Sequence, residues 1–298
     1  MMQNKDAVFT THYEEIHLPN INTRFTIKPF GDVHRNAPAC EEERWLNFLE
    51  WCKEDDAYTR YLVMGDVDDI ISASERVVFS DRKIHESTRS VMDDFAEAKT
   101  NDTIKEIGFM KNKTLGMIQG NHYWEFDAGD TSTSRICKAL NCKWLGFLSY
   151  IRLAFRFGKR GHRVSIDIVA CHGKAGGKLV GTSINQVDDL RRIFPAADIY
   201  IMGHNHKKGA LPASALIANS TGGEGEVVLH QKRQWLARSG SFLRGYVPDQ
   251  SNYVTGRLYA PTDLGVIRFD VDFKRMQGKN EKTGGTTDVI RPDIHVWS

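Results

Sequence analysis

The sequence predicts an α/β fold, on three observations. Short apolar runs alternate with amphipathic helical segments in the first half of the chain, and further strand-like runs dominate the second. Five of the apolar runs end in a polar cluster that contains glycine. No internal repeat or low-complexity linker divides the 298 residues, which points to one domain spanning 1–298.

The elements follow in chain order. "RFTIKPFGDVH" (24–34) reads as a strand, a glycine turn, then an acid and a histidine. "EEERWLNFLEWCKEDD" places Trp45, Phe48, Leu49 and Cys52 at helical spacing, so it should be an amphipathic helix packed on a sheet. "RYLVMGDVDD" (60–69) is again strand, glycine, acid. Residues 70–113 are polar with helical spacing and are expected to form a helical insertion. "KTLGMIQGNHYW" repeats the strand–glycine–polar pattern, and a short helix is expected around "TSRICKALNC". Alternation on both sides of "GKRGH" predicts a hairpin whose second strand ends at His172. "INQVDDLRRIF" should be helical and leads into "DIYIMGHNH", where Ile199 and Ile201 take one face and Tyr200 and Met202 the other. "EGEVVLHQKRQWLARSGSF" and "LGVIRFDVDF" read as later strands, and the tail from about 274 to 298 is polar and expected to be loose.

Composition narrows the function classes. With 41% hydrophobic residues the chain can fill a sizeable core, and its apolar runs are too short to span a bilayer. "MMQNKDAVFTTHYEE" lacks the apolar segment of a signal peptide, so a cytoplasmic protein with no membrane partner is expected. Cys40, Cys52, Cys137, Cys142 and Cys171 are odd in number and form no C-x-x-C pair, which argues for reduced thiols. The net charge of +2 conceals basic clusters at 155–163, 172–178, 204–209 and 230–238 that could attract phosphate.

The chemistry lies in the five strand-end clusters: "GDVH" (31–34), "GDVDD" (65–69), "GNH" (120–122), "CHG" (171–173) and "GHNH" (203–206). Ligands gather at the carboxyl ends of strands in open α/β sheets, so five such clusters make one shared site. Carboxylates, imidazoles and an amide oxygen suit Mn²⁺, Fe or Zn²⁺ rather than Cu(I) or an Fe–S cluster. Seven ligands exceed one tetrahedral ion and fit two, the arrangement that clamps a phosphoryl group.

In order, these clusters resemble the five motifs of the calcineurin-like metallophosphoesterase superfamily, over residues 31–206. The resemblance implies a four-layer α/β/β/α sandwich of two packed mixed β-sheets, with a dimetal site at the strand ends. It implies two divalent ions, Mn most readily. Asp32, His34 and His206 would hold the first, Asn121, His172 and His204 the second, and Asp66 would bridge them. His172 enters because "VSIDIVACHG" is the one remaining strand that ends in histidine. His122 would be the general acid facing the substrate, oriented and kept protonated by Asp69, while a metal-bridging hydroxide attacks phosphorus.

Two positions depart from the protein phosphatase pattern. Ile70 stands where those enzymes carry arginine, and Tyr123 where they carry an acid. This shifts the expectation to a phosphodiesterase acting on a nucleotide or nucleic acid, with Lys174, Lys178, Lys207 and Lys208 placed to approach phosphates. The alternatives are a phosphomonoesterase and a non-catalytic metal-binding scaffold. His12, His17, His85, His162, His230 and His295 match no motif. Trp45 and Trp51 read as packing residues, whereas Trp235 and "SGSFLRGY" (239–246) lie where they could approach the cleft.

Overall fold

The computed structural model describes residues 8–80, 85–158, 163–173, 179–220, 227–249, 253–256, 258–279 and 286–298. The chain runs β1 (Phe9–Leu18), β2 (Phe25–Phe30), α1 (Glu42–Lys53), β3 (Thr59–Val63), α2 (Ala73–Ser80), α3 (Glu86–Ile107), β4 (Thr114–Met117), α4 (Ser132–Leu140), β5 (Lys143–Trp144) and β6 (Leu148–Phe157). It continues through β7 (Arg163–Cys171), α5 (Val180–Ile193), β8 (Ile199–Met202), β9 (Lys208–Ser220), β10 (Val227–Ser241), α6 (Tyr253–Gly256), β11 (Gly265–Val266), β12 (Arg268–Lys279) and β13 (Thr286–Trp297).

Two mixed sheets result. One has the order β1-β6-β7-β8-β10-β11, with β9 paired to β10; the other runs β13-β12-β2-β3-β4-β5. Strands β2, β3 and β4 are parallel, as are β7, β8 and β10, so each sheet has a parallel centre. The sheets pack face to face through Phe25, Ile27 and Leu62 of one and Leu153, Phe155, Ile168, Ile199 and Ile201 of the other.

The outer faces carry helices. Trp45, Phe48, Leu49 and Cys52 of α1 pack on Phe30, Tyr61 and Val63, together with Ile107 of α3 and Ile136 and Leu140 of α4. Acids at Glu42 and Glu43 and a base at Lys53 suit the dipole of α1. A Thr131–Ser134 capping box starts α4, and left-handed Asn141 ends it. On the other sheet, Ile184, Val187 and Leu190 of α5 cover Val169, Tyr200 and Met202. Period-two alternation therefore sends Ile199 and Ile201 between the sheets and Tyr200 and Met202 under α5. The architecture is the α/β/β/α sandwich expected.

The tail departs from expectation. Instead of a loose segment, β12 and β13 pair antiparallel from Arg268↔Trp297 to Lys279↔Thr286. Ile290, Ile294 and Val296 recur at even spacing and pack into the inter-sheet core, a strand signal diluted by the charged residues between them.

Candidate metal centre

All five motif loops leave the carboxyl ends of strands, after β2, β3 and β4 in one sheet and after β7 and β8 in the other. They are tied together by their backbones. Asp32 N–H donates to Gly65 O at 3.0 Å, and Val33 and His34 N–H donate to Asp66 O at 2.8 and 3.1 Å. The carboxylates bind neighbouring loops: Asp66 Oδ1 accepts from Asn121 and His122 N–H at 2.7 and 3.0 Å, and Asp32 Oδ2 from His204 N–H at 2.7 Å.

Local backbone marks the same residues. Asp32, His34, Asp66, His204 and His206 all have φ between 47° and 68°, the left-handed region that side chains disfavour. Such strain persists only where surrounding contacts over-determine it, and it clusters at functional sites. Close approach explains one motif glycine: a Cβ on Gly120 would lie 2.0 Å from Asp66 Oδ1 and 2.4 Å from Asp66 N. Overpacking of this kind costs roughly 1–3 kcal/mol. Gly120→Ala is therefore expected to lower the melting temperature and, by displacing Asp66, to weaken metal uptake, both measurable by thermal melts with and without Mn²⁺.

Among the described residues three groups of side chains have the donor atoms to hold a metal ion; one of them, His34, Asp69 and His122, shares His34 with the first of the two groups that the motifs assign. Asp32, His34 and His206 form that first group, with all candidate ligand atoms within 4.8 Å of one another, and Asp66, His172 and His204 form the second. In the first, His34 Nε2 and His206 Nε2 face each other at 3.2 Å, and the buried Asp32 Oδ1 has no hydrogen-bond partner. In the second, His172 Nδ1 donates to Met64 O at 2.8 Å, which leaves Nε2 to face the site. That Nε2 meets Asp66 Oδ2 at 3.0 Å, Asn121 Oδ1 at 2.9 Å and His204 Nδ1 at 3.1 Å. Two oxygens and two imidazole nitrogens converging in a partly buried volume call for a cation, so the residues present fit a divalent metal.

The electrostatics agree. Burial raises Asp32 to about 6. Burial also works against ionisation of Asp66, but the adjacent His172 outweighs it and holds this carboxyl well below the usual range. Burial would likewise depress His172, yet Asp66 lifts it to about 9. His204 falls to about 4 through burial and the neighbouring His172, and burial takes His206 well below its ordinary value.

Beside the first group, His122 Nδ1 is hydrogen-bonded to Asp69 Oδ1. The His122 and His34 rings meet edge to face at 4.7 Å, and Asp69 Oδ1 also lies 3.7 Å from His34 Nδ1. Burial lowers the His122 pKa, but the Asp69 contact more than offsets this, so the net shift is upward. Burial opposes charge on Asp69, while its hydrogen bond to His122 and the proximity of His34 drive its pKa far down. Asp69 does not cap the next helix: Ser72 and Glu75 bond each other at the start of α2.

Four residues outside the motifs build the scaffold. Arg76 of α2 donates to Asn121 O at 3.0 Å and Tyr123 O at 3.2 Å, with its guanidinium 3.8 Å from the Tyr123 ring. Ser241 Oγ donates to Asp32 O at 2.8 Å, and Phe242 N–H donates to the same oxygen. Thus "SGSFLRGY" supports the backbone of the first ligand. Arg238, fully buried, donates to Gly203 O at 2.9 Å and to Ser183 O at 2.6 Å. Leaving a buried acceptor unmade costs roughly 1–3 kcal/mol. Arg238→Met is expected to lower stability by about that amount for each carbonyl, as urea denaturation would measure.

Other sequence expectations fare differently. Lys174, Lys178 and His162 lie outside the described residues. Lys208 pairs with Asp263 at 3.1 Å instead of standing ready for phosphate. Trp235 pairs in register with Ile199 at the start of β8, and its Nε1 donates to Ile294 O, so it stands away from the His204 end and does not reach the cleft. His85 caps α3.

No protein-family model matches the chain, and no curated protein does. Among solved structures, the crystal structure of the calcineurin-like phosphoesterase YfkN from Bacillus subtilis is 10% identical over 91% of this chain and 90% of that chain. Its TM-score is 0.29, a likeness too low to carry any argument about this protein.

Proposed function

We propose that this chain is a two-metal-dependent phosphoester hydrolase, and more narrowly a phosphodiesterase acting on a nucleotide or nucleic-acid substrate. The observation that carries the reading is the placement of two metal-holding groups, Asp32–His34–His206 and Asp66–His172–His204, beside the His122–Asp69 pair at one set of strand ends. The ordered motifs support it from the sequence side. Asn121 completes the second group through its amide oxygen, and Asp66 is the residue assigned to span both.

When bound, the metals would supply Lewis-acid polarisation of the phosphoryl oxygens and a nucleophile at neutral pH. The chain's own residues do the rest. Asp69 accepts from His122 Nδ1–H and so turns Nε2–H toward substrate. His122 donates that proton to the leaving oxygen, and its raised pKa keeps the proton available near neutrality. Motif loops locked by backbone hydrogen bonds hold the ligands in place before substrate arrives.

The test is hydrolysis of bis-p-nitrophenyl phosphate against p-nitrophenyl phosphate, with Mn²⁺ and after chelation. A Mn²⁺-dependent preference for the diester is expected. A preference for the monoester would move the assignment to a phosphomonoesterase, which the pairing of Lys208 with Asp263 favours because one cation is then withdrawn from a second phosphate. Bound metal with hydrolysis of neither would leave the scaffold reading.

A further inference from the structure

We propose that the cavity between β10 and β13 is a second ligand site, for a small phosphorylated anion, separate from the metal centre. The cavity measures about 390 Å³ and is lined from β10, β13, Ser165 of β7 and Asp198. This volume falls in the range of small-molecule sites. It opens where the sheets end, at the start of β8: Trp235 pairs with Ile199, and Ser165 lies six residues before Cys171. At about 3.3 Å per residue, that is roughly 20 Å from the metal ligands.

Its charge is cationic in the places that matter. Of the acids on its wall, Asp198 is paired with Lys232 at 2.7 Å and Asp293 is bonded by Lys274. Arg233 and Arg291 line the cavity and form no ion pair among the described residues. Arg233 is held with its guanidinium 4.7 Å from the Trp235 ring, and Trp235 is fixed by its bond to Ile294 O. His230 adds a buried Nδ1 with no hydrogen-bond partner. Two guanidinium groups outside any direct ion pair, with Asp293 near enough to Arg233 to feel its charge, match a phosphate through parallel N–H···O bonds better than ammonium groups do. A ligand held by both arginines would connect β10 of one sheet to β13 of the other.

The experiment is calorimetric titration of inorganic phosphate and of AMP into metal-loaded and EDTA-treated protein, and into Arg233→Ala and Arg291→Glu variants. Binding of at least one probe is expected to survive EDTA, which removes phosphate affinity at the metal centre. Either substitution should weaken this event tenfold or more while diester hydrolysis by the metal-loaded variants stays unchanged. Absence of binding after EDTA, or affinities within twofold of the parent in both variants, would overturn the proposal. Arg291 is exposed on an edge strand, so Arg291→Glu carries the test if Arg233→Ala melts early. Loss of hydrolysis in the parent protein would count against the catalytic reading alone.

Discussion

Asp66→Ala should lose metal to background level and abolish hydrolysis, the largest effect expected of any single substitution in this chain. Three interactions fail together: the 3.0 Å pair with His172, and the two backbone N–H bonds that set the Asn121–His122 loop. Removing one partner of a buried ion pair costs about 3–5 kcal/mol. Here proton loss from His172 relieves part of that cost. Asp66→Asn separates fold from chemistry, because its amide oxygen can still accept from both N–H groups while the negative charge is gone. It should melt close to the parent yet lose activity by more than the roughly 100-fold produced by changing residues that only hydrogen-bond to a metal ligand. Metal analysis and p-nitrophenyl ester kinetics check both variants; full metal content in Asp66→Ala would remove it from the ligand set.

His122→Ala should leave metals bound and lower kcat by roughly 10²–10⁴-fold, the range for loss of general acid–base catalysis. The pH dependence gives the sharper readout. His122 has a pKa raised above its ordinary value, chiefly because Asp69 offsets burial. Activity that needs its proton is therefore full at low pH on this limb and falls as pH rises through the raised pKa. Asp69→Asn keeps a hydrogen-bond acceptor but removes the charge, so the limb should move to lower pH and the rate at pH 8 should fall more than the rate at pH 6. A purely structural role for Asp69 would lower both equally.

The site was more legible in the sequence than the sheet edges were. Ligand positions follow short apolar strands that end in glycine, acid and histidine, and nearly every such residue of the five clusters falls within the joined loops. Two signals combine there, strand periodicity and unusual residue chemistry at its end. The edge strands lack both. In β1, "FTTHYEEIHL", only Ile16 and Leu18 are buried, so alternation is hidden by polar residues on a half-exposed strand. In β9, "KGALPASALIANS", Ala, Ser and Pro212 carry low strand propensity, and the strand exists through its long antiparallel register with β10. Supporting residues such as Arg76 and Arg238 were invisible for another reason. Their role is to bond main-chain carbonyls brought close by the fold, and an arginine's sequence neighbours do not reveal which carbonyls those will be.

Each ligand group draws from both sheets. Asp32 and His34 follow β2 of one sheet, but His206 follows β8 of the other; Asp66 follows β3, but His172 and His204 follow β7 and β8. Neither half of the sandwich contains a whole group, and the partners drawn from opposite sheets are more than a hundred residues apart along the chain. An assembly intermediate with formed but undocked sheets has no place for an ion to bind tightly. Metal uptake during refolding should thus coincide with closure of the sandwich, and a metal-sensitive dye released or quenched in stopped flow would time that event.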